Sequence, residues 1–168
     1  MNIRKELADD IQNVWHLNVN AFETDAEANL VNVLRNSGIP YISLVAEEND
    51  EITGHILFTP VTFSGPPPKL RIMGLGPMAV LKNRQRNGVG SMLVKAGIKR
   101  CISENIDAIV VLGHPEFYPK FGFVPAVQYG ITSEYDVPDD VFMVLELKTS
   151  VLQGKSGVIK YHKAFSSA

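Results

Sequence analysis

The chain has one cysteine, Cys101, and one tryptophan among 168 residues, and no long apolar run. A lone cysteine excludes an intrachain disulfide, so a cytoplasmic home is the expectation. A membrane-spanning helix needs about 18 or more consecutive apolar residues, which excludes a membrane partner of that kind. The opening Met1-Asn2-Ile3-Arg4-Lys5-Glu6 carries charge with no apolar stretch behind it, and therefore lacks the core of a secretory signal. The four histidines, His16, His55, His114 and His162, are scattered, and no His/Cys/Asp/Glu cluster has metal-ligand spacing. Metal-free chemistry is expected. Most unevenly distributed are the carboxylates: residues 52 to 103 contain none.

What is present is the composition of an ordinary globular domain, 45% hydrophobic and 20% charged. Domains cluster at roughly 100 to 150 residues, so a single domain spanning 1-168 is expected. The net charge of -2 conceals three blocks. Residues 1 to 51 hold 3 Lys/Arg against 10 Asp/Glu, residues 52 to 103 hold 8 against none, and residues 104 to 168 hold 5 against 8. A basic block without carboxylates suits a polyanion, or is simply a solvated basic face. The mildly acidic whole, with no nucleic-acid module, disfavours a nucleic-acid partner and favours a small phosphorylated ligand.

The spacing predicts a first strand over 3–7, then a helix to Phe22, capped by Asp9 or Asp10, burying Ile11, Val14, Trp15, Val19 and Phe22. Thr24-Asp25-Ala26-Glu27 spells a capping box opening a second helix, which stops at Gly38-Ile39-Pro40. Strands over 41–46 and 52–62 form a hairpin, broken afterwards by Pro66-Pro67-Pro68. A buried strand over 70–81 leads to a helix from Gly88 to about Glu104, apolar nearly all round and expected to be sandwiched. Ala108-Ile109-Val110-Val111-Leu112 is a fully apolar strand, parallel to its predecessor in a right-handed βαβ unit. A short helix over 116–121, a late strand over 141–147 and a tail docked by Val158, Ile159, Tyr161 and Phe165 complete the chain.

Chemistry concentrates between the apolar strand and the long helix, in Gln85-Arg86-Asn87-Gly88-Val89-Gly90-Ser91. Glycines at a helix opening let backbone approach a ligand, and the free N–H groups with the helix dipole make an anion site. Tight packing of helix on sheet would explain the same glycines. A Walker loop is excluded because Gly90 is followed by Ser91-Met92 rather than Lys-Ser/Thr. Gly74-Leu75-Gly76-Pro77-Met78-Ala79 spells a dinucleotide fingerprint, yet no helix opens within it and no acid occurs before Glu104, against an NAD-linked enzyme.

Gln85-Arg86-Asn87-Gly88-Val89-Gly90 resembles the Gln/Arg-x-x-Gly-x-Gly/Ala signature of the GNAT superfamily of N-acetyltransferases. After the next strand, Tyr118-Pro119-Lys120-Phe121-Gly122-Phe123 resembles that family's Tyr-x-x-x-Gly-Phe element. The phrases Phe22-Glu23-Thr24-Asp25-Ala26-Glu27, Gly113-His114-Pro115 and Ile159-Lys160-Tyr161-His162 further resemble its YhbS-like bacterial branch. The core of the resemblance covers about Leu70 to Pro125. It implies a mixed α/β fold: a twisted, largely antiparallel sheet with one splayed parallel strand pair and helices on both faces. It implies acetyl-CoA as acetyl donor and an amine acceptor, a small molecule or a protein, in direct transfer. A non-catalytic acyl-CoA-binding or sensor module is the alternative, and a homodimer is left open.

By the same resemblance acetyl-CoA lies in the wedge between the strands ending at Val80 and Leu112. Met78, Ala79 and Val80 face the pantetheine, Arg86, Asn87, Gly88, Val89, Gly90 and Ser91 bind the pyrophosphate, and Lys82, Arg84 or Arg86 meets the remaining phosphate. Tyr118 is the family-matched proton donor to the leaving thiolate, with a packing tyrosine as the plainer reading. An alkylammonium with pKa near 10.4 must lose a proton before it attacks, which requires a base or a water path to one. Glu27, on the apolar face with Leu30, Val31 and Leu34, is one candidate, though the capping box explains it equally. His114, just beyond the end of a strand, is the other. Cys101 reads as core rather than nucleophile. The acidic first block, with Glu23, Asp25 and Glu27, favours a cationic amine.

Overall fold

Seven strands pair in the order β1-β2-β3-β5-β6-β9-β7 in a computed structural model that describes residues 1–167. They are β1 (Asn2–Lys5), β2 (Ile42–Glu48), β3 (Glu51–Pro60), β5 (Ile72–Val80), β6 (Ala108–Leu112), β7 (Val124–Pro125) and β9 (Phe142–Glu146). The antiparallel pairs are β1 with β2, β2 with β3, β6 with β9 and β7 with β9, while β5 and β6 run parallel. A second sheet, in the order β4-β10-β8, joins β4 (Thr62–Phe63), β10 (Gly157–Lys160) and β8 (Ile131–Ser133). The helices are α1 (Ile11–Phe22), α2 (Ala26–Arg35) and α3 (Val89–Ser103). This is the mixed α/β architecture expected: β5 with β6 is the parallel pair of the seven-stranded sheet, while in the second sheet β10 runs antiparallel to β4 and parallel to β8.

Two compact units divide the chain, and each has its own core. The first takes Met1–Thr59, Gly76–Arg100 and the tail from Lys163. In it Val14 and Leu17 of α1 and Leu30, Val31 and Leu34 of α2 bury against Val45, Leu57 and Ala79, with Phe165 of the tail packed beside them. The expected face of α1 needs correction. Its buried residues are Val14, Leu17 and Asn18, whereas Phe22 stands 37% exposed. Asn18 tolerates that burial because its amide donates to the Val14 carbonyl one turn back at 2.9 Å. α3 is likewise not sandwiched: Leu93, Val94 and Cys101 are buried while Met92 and Ile102 are exposed at 40% and 55%.

The first unit also encloses a polar chain. The His55 ring nitrogen Nε2 lies 2.8 Å from Ser43 Oγ, which donates to Glu6 Oε1 at 3.0 Å, and Glu6 pairs with Arg35 at 2.7 Å. His55 is fully buried, and burial, with Arg35 adding a like charge, pushes its imidazole down to about 3. It is therefore neutral.

The second unit takes Pro60–Leu75 and Cys101–His162. Ile72, Ala108, Val110, Ile131, Phe142, Val144, Leu152 and Ile159 form its core. Asp107 accepts from the Arg71 N–H at 2.7 Å and from Lys148 at the same distance, which aligns the entry into β6. Ile159 is fully buried in β10, so the tail docks through a strand. The short helix expected over 116–121 is a single 3-10 turn, Tyr118–Phe121.

Candidate active site

β5 is apolar enough to be buried along its first half, and it pairs with β6 only from Ile72↔Ala108 to Leu75↔Val111. It continues to Val80 without that partner. Gly76 sits at the departure with φ +139, a conformation L side chains rarely adopt. Pro77 follows and offers no N–H.

The segment beyond β5 is anchored residue by residue. Leu81 N–H donates to the Thr53 carbonyl at 2.9 Å, and Lys82 N–H to Asn20 Oδ1 at 3.1 Å. Lys82 Nζ pairs with Glu23 Oε1 at 2.7 Å and holds that carboxyl below its ordinary value; Arg84 meets Glu51 at 3.3 Å. The Gln85 side-chain amide donates to the Val80 carbonyl at 3.1 Å, folding the loop back on the strand it leaves. Both cations ahead of Gln85 are thus occupied by carboxylates. Arg86 forms no ion pair among the described residues.

Arg86 and Gly88 both take positive φ, 68° and 84°. Left-handed residues at the mouth of a helix turn successive N–H groups inward into an anion-binding nest. α3 begins at Val89, Met92 N–H donates to the Gly88 carbonyl at 3.0 Å, and the first-turn amides have no acceptor inside the helix. A Cβ built on Gly88 meets nothing within 4 Å, so the space beside the nest is open. The far side is closed. A Cβ on Gly54 would meet Val89 Cγ1 at 2.7 Å and Leu93 Cδ1 at 2.9 Å, which is why glycine stands where α3 crosses β3. Gln85, Arg86, Asn87 and Gly88 are exposed, Met78, Val80, Gly90 and Ser91 half-buried, and Ala79 and Val89 buried at 2%. The last two can meet a ligand through backbone alone. The nest and the helix dipole together suit a pyrophosphate, and the loop supplies no carboxylate of its own.

In the second unit, Gly113 N–H donates to the Val141 carbonyl at 3.0 Å and ends β6. His114 is exposed, and its carbonyl accepts from Phe117 N–H at 3.1 Å and from Tyr118 N–H at 3.5 Å. The turn presses Tyr118 inward to 7% exposure, edge-on to Phe117 at 4.9 Å and Phe123 at 5.6 Å. A Cβ on Gly113 would collide with the Tyr118 ring. Gly122, with φ +100, closes the turn by donating to the Pro119 carbonyl. Burial pushes the Tyr118 phenol up to about 12, so it stays protonated across the working pH range.

Glu27 lies in the first turn of α2, half-buried. Thr24 Oγ1 accepts from Ala26 N–H at 3.2 Å and donates to Glu27 Oε1 at 3.4 Å. The reciprocal capping box is not formed: Asp25 occupies the cap position without a side-chain bond. The corner between α1 and α2 is instead fastened through Asn20 and Glu23 to Lys82, pairs about 60 residues apart that no local spacing announces. Among the described residues no group of three His/Cys/Asp/Glu side chains is placed to hold a metal, and no helix is long and apolar enough to cross a membrane.

The family model of the Acetyltransferase (GNAT) family matches residues 7–123. The chain belongs to that family. It is an acyltransferase by that membership. It is 32% identical over 167 residues, 99% of each chain, to the uncharacterised N-acetyltransferase YhbS of Escherichia coli. A crystal structure of that protein in complex with CoA superposes with a TM-score of 0.92 at 31% identity, covering 98% of this chain and 91% of that one. A GNAT acetyltransferase from Brucella melitensis in complex with acetyl-CoA matches with a TM-score of 0.80 at 29% identity, covering 98% and 97%.

Proposed function

We propose that this GNAT chain works as one N-acetyltransferase domain, in the cytoplasm, moving an acetyl group from acetyl-CoA directly to a primary amine. The observation that carries the reading is the nest from Arg86 to Ser91 at the mouth of α3, open on one side and with no Asp or Glu among its own residues. Relatives alike over nearly the whole chain hold CoA or acetyl-CoA, which supports it. The amides from Arg86 to Ser91 bind the pyrophosphate, with Gln85 bracing the loop. Met78, Ala79 and Val80 line the pantetheine. Arg86, the loop cation without a carboxylate partner, meets the remaining phosphate.

The acetyl group supplies an electrophilic carbonyl carbon: a C–N bond forms, the C–S bond breaks, and the amine releases one proton. Proton arithmetic refines the part of Tyr118. A thiol is the stronger acid, with an ordinary pKa near 8.5 against about 10 for a phenol, and burial pushes Tyr118 further up, so full proton transfer from Tyr118 to the thiolate is uphill. Tyr118 therefore donates a hydrogen bond to the developing thiolate and keeps its proton. The amine's proton leaves through His114 or Glu27. His114 is exposed and tied by its carbonyl to the Tyr118 turn, whereas Glu27 shares its carboxylate with Thr24. Thiol release from acetyl-CoA across an amine panel tests the proposal. Amine-dependent release supports transfer; acetyl-CoA binding with no release for any amine would leave the non-catalytic module as the better account.

A further inference from the structure

We propose that the groove formed by β8, the loop over 134–141 and the start of β9 is the acceptor pocket, and that it takes an aliphatic amine carrying more than one positive charge. The proposal rests on the acetyl-transfer reading above. The groove is a cavity of about 380 Å³, at the small end of ligand sites and fit for a small molecule or a side-chain tip. Its floor is apolar, with Ile131 and Phe142 buried and Val137 half-buried. Its rim carries Glu134, Asp136 and Asp139, and no lysine, arginine or histidine lines it. An aliphatic body on the floor with ammonium groups at the rim satisfies both; an anionic acceptor would face three like charges.

Location ties the groove to the chemistry. Phe142 pairs with Leu112, the last residue of β6, and the Val141 carbonyl accepts from Gly113 N–H. The start of β9, which lines the groove, thus lies beside the carboxyl end of β6, the end at which open sheets receive ligands, and the end from which the chain runs through His114 to Tyr118. Side-chain commitments point the same way. Glu134 Oε2 accepts from Tyr161 N–H at 2.7 Å, which braces the rim and leaves Asp136 and Asp139, both exposed, to meet ammonium groups. Ser133 Oγ accepts from Tyr135 N–H at 2.8 Å and fixes the bend between them. The acids earlier in the chain are differently employed, Glu23 by Lys82 and Glu27 by Thr24.

The test uses the full chain with hexane-1,6-diamine as probe and hexane-1,6-dioate, of equal length and opposite charge, as control. Calorimetric titration without acetyl-CoA should show the diamine binding and the dioate not. In Asp136→Asn/Asp139→Asn the diamine Kd and its KM for acetylation should rise at least about tenfold, with kcat at saturating diamine and acetyl-CoA affinity unchanged. Asp25→Asn should leave the diamine KM at its parent value. Absent diamine binding, equal binding of the dioate, or a double variant with parental Kd overturns the proposal. Failure of acetyl-CoA to bind refutes the transfer reading instead, while the diamine titration still decides the groove.

Discussion

Acidification should destabilise this protein well above the carboxylate range, because His55 is folded into a site that accepts no proton. Its imidazole is fully buried against Ser43, with the Glu6–Arg35 pair beyond, and titrates at about 3 instead of 6.5. The folded pKa is depressed, so the unfolded chain binds the proton first, and stability falls as pH drops from 6.5 toward 3. At pH 5 the unfolded histidine is about 97% protonated and the folded one is neutral, which removes about 2 kcal/mol relative to pH 7. Urea denaturation at pH 7 and pH 5 measures this directly, and His55→Gln, which keeps a polar partner for Ser43, supplies the comparison. The wild-type loss should exceed the variant's by about 2 kcal/mol, a large share of a stability of about 5–15 kcal/mol. Equal losses in both proteins would refute the argument.

Three further outcomes follow from packing and charge. Gly54→Ala drives a methyl into Val89 and Leu93, so the melting temperature should fall by the equivalent of about 1–3 kcal/mol and acetyl-CoA affinity should weaken with the displaced first turn of α3. Arg35→Met strands the Glu6 carboxylate at 4% exposure and should cost about 3–5 kcal/mol in denaturant titration. Tyr118→Phe keeps the ring but removes the hydroxyl; kcat should drop by about 10² or more with acetyl-CoA affinity retained, and parental turnover at every pH would make Tyr118 a packing residue.

Much of this was legible in the residues, for physical reasons. β5, α3 and β6 announce themselves because a long apolar run, two glycines at a helix mouth and five consecutive apolar residues leave few alternatives. The turn at Tyr118 follows from Gly122 and its aromatic neighbours. What escaped depends on distance in the chain. Asn18 looks like a solvent residue until its amide finds the Val14 carbonyl, and the true face of α1 shifts with it. β4, β7 and β8 are two or three residues long, too short for any period to show. The fastening of Lys82 by Asn20 and Glu23, and the assembly of Glu134, Asp136, Asp139 and Phe142 around one groove, exist only once the chain is folded.

The central claim is that acetyl-CoA is held by the nest from Arg86 to Ser91, and calorimetric titration of the wild type beside Gly88→Asp tests it most directly. The aspartate enters open space, and its backbone strain at φ +84 is confined to one exposed loop residue of a type that visits the left-handed region, so the variant should fold with a modest loss of stability; its carboxylate then stands where the pyrophosphate belongs. Wild-type protein should bind saturably and gain about 2.7 kcal/mol of stability at a hundredfold excess over Kd, while Gly88→Asp should bind nothing measurable. Parental affinity in the variant, or no binding in the wild type, would contradict the account.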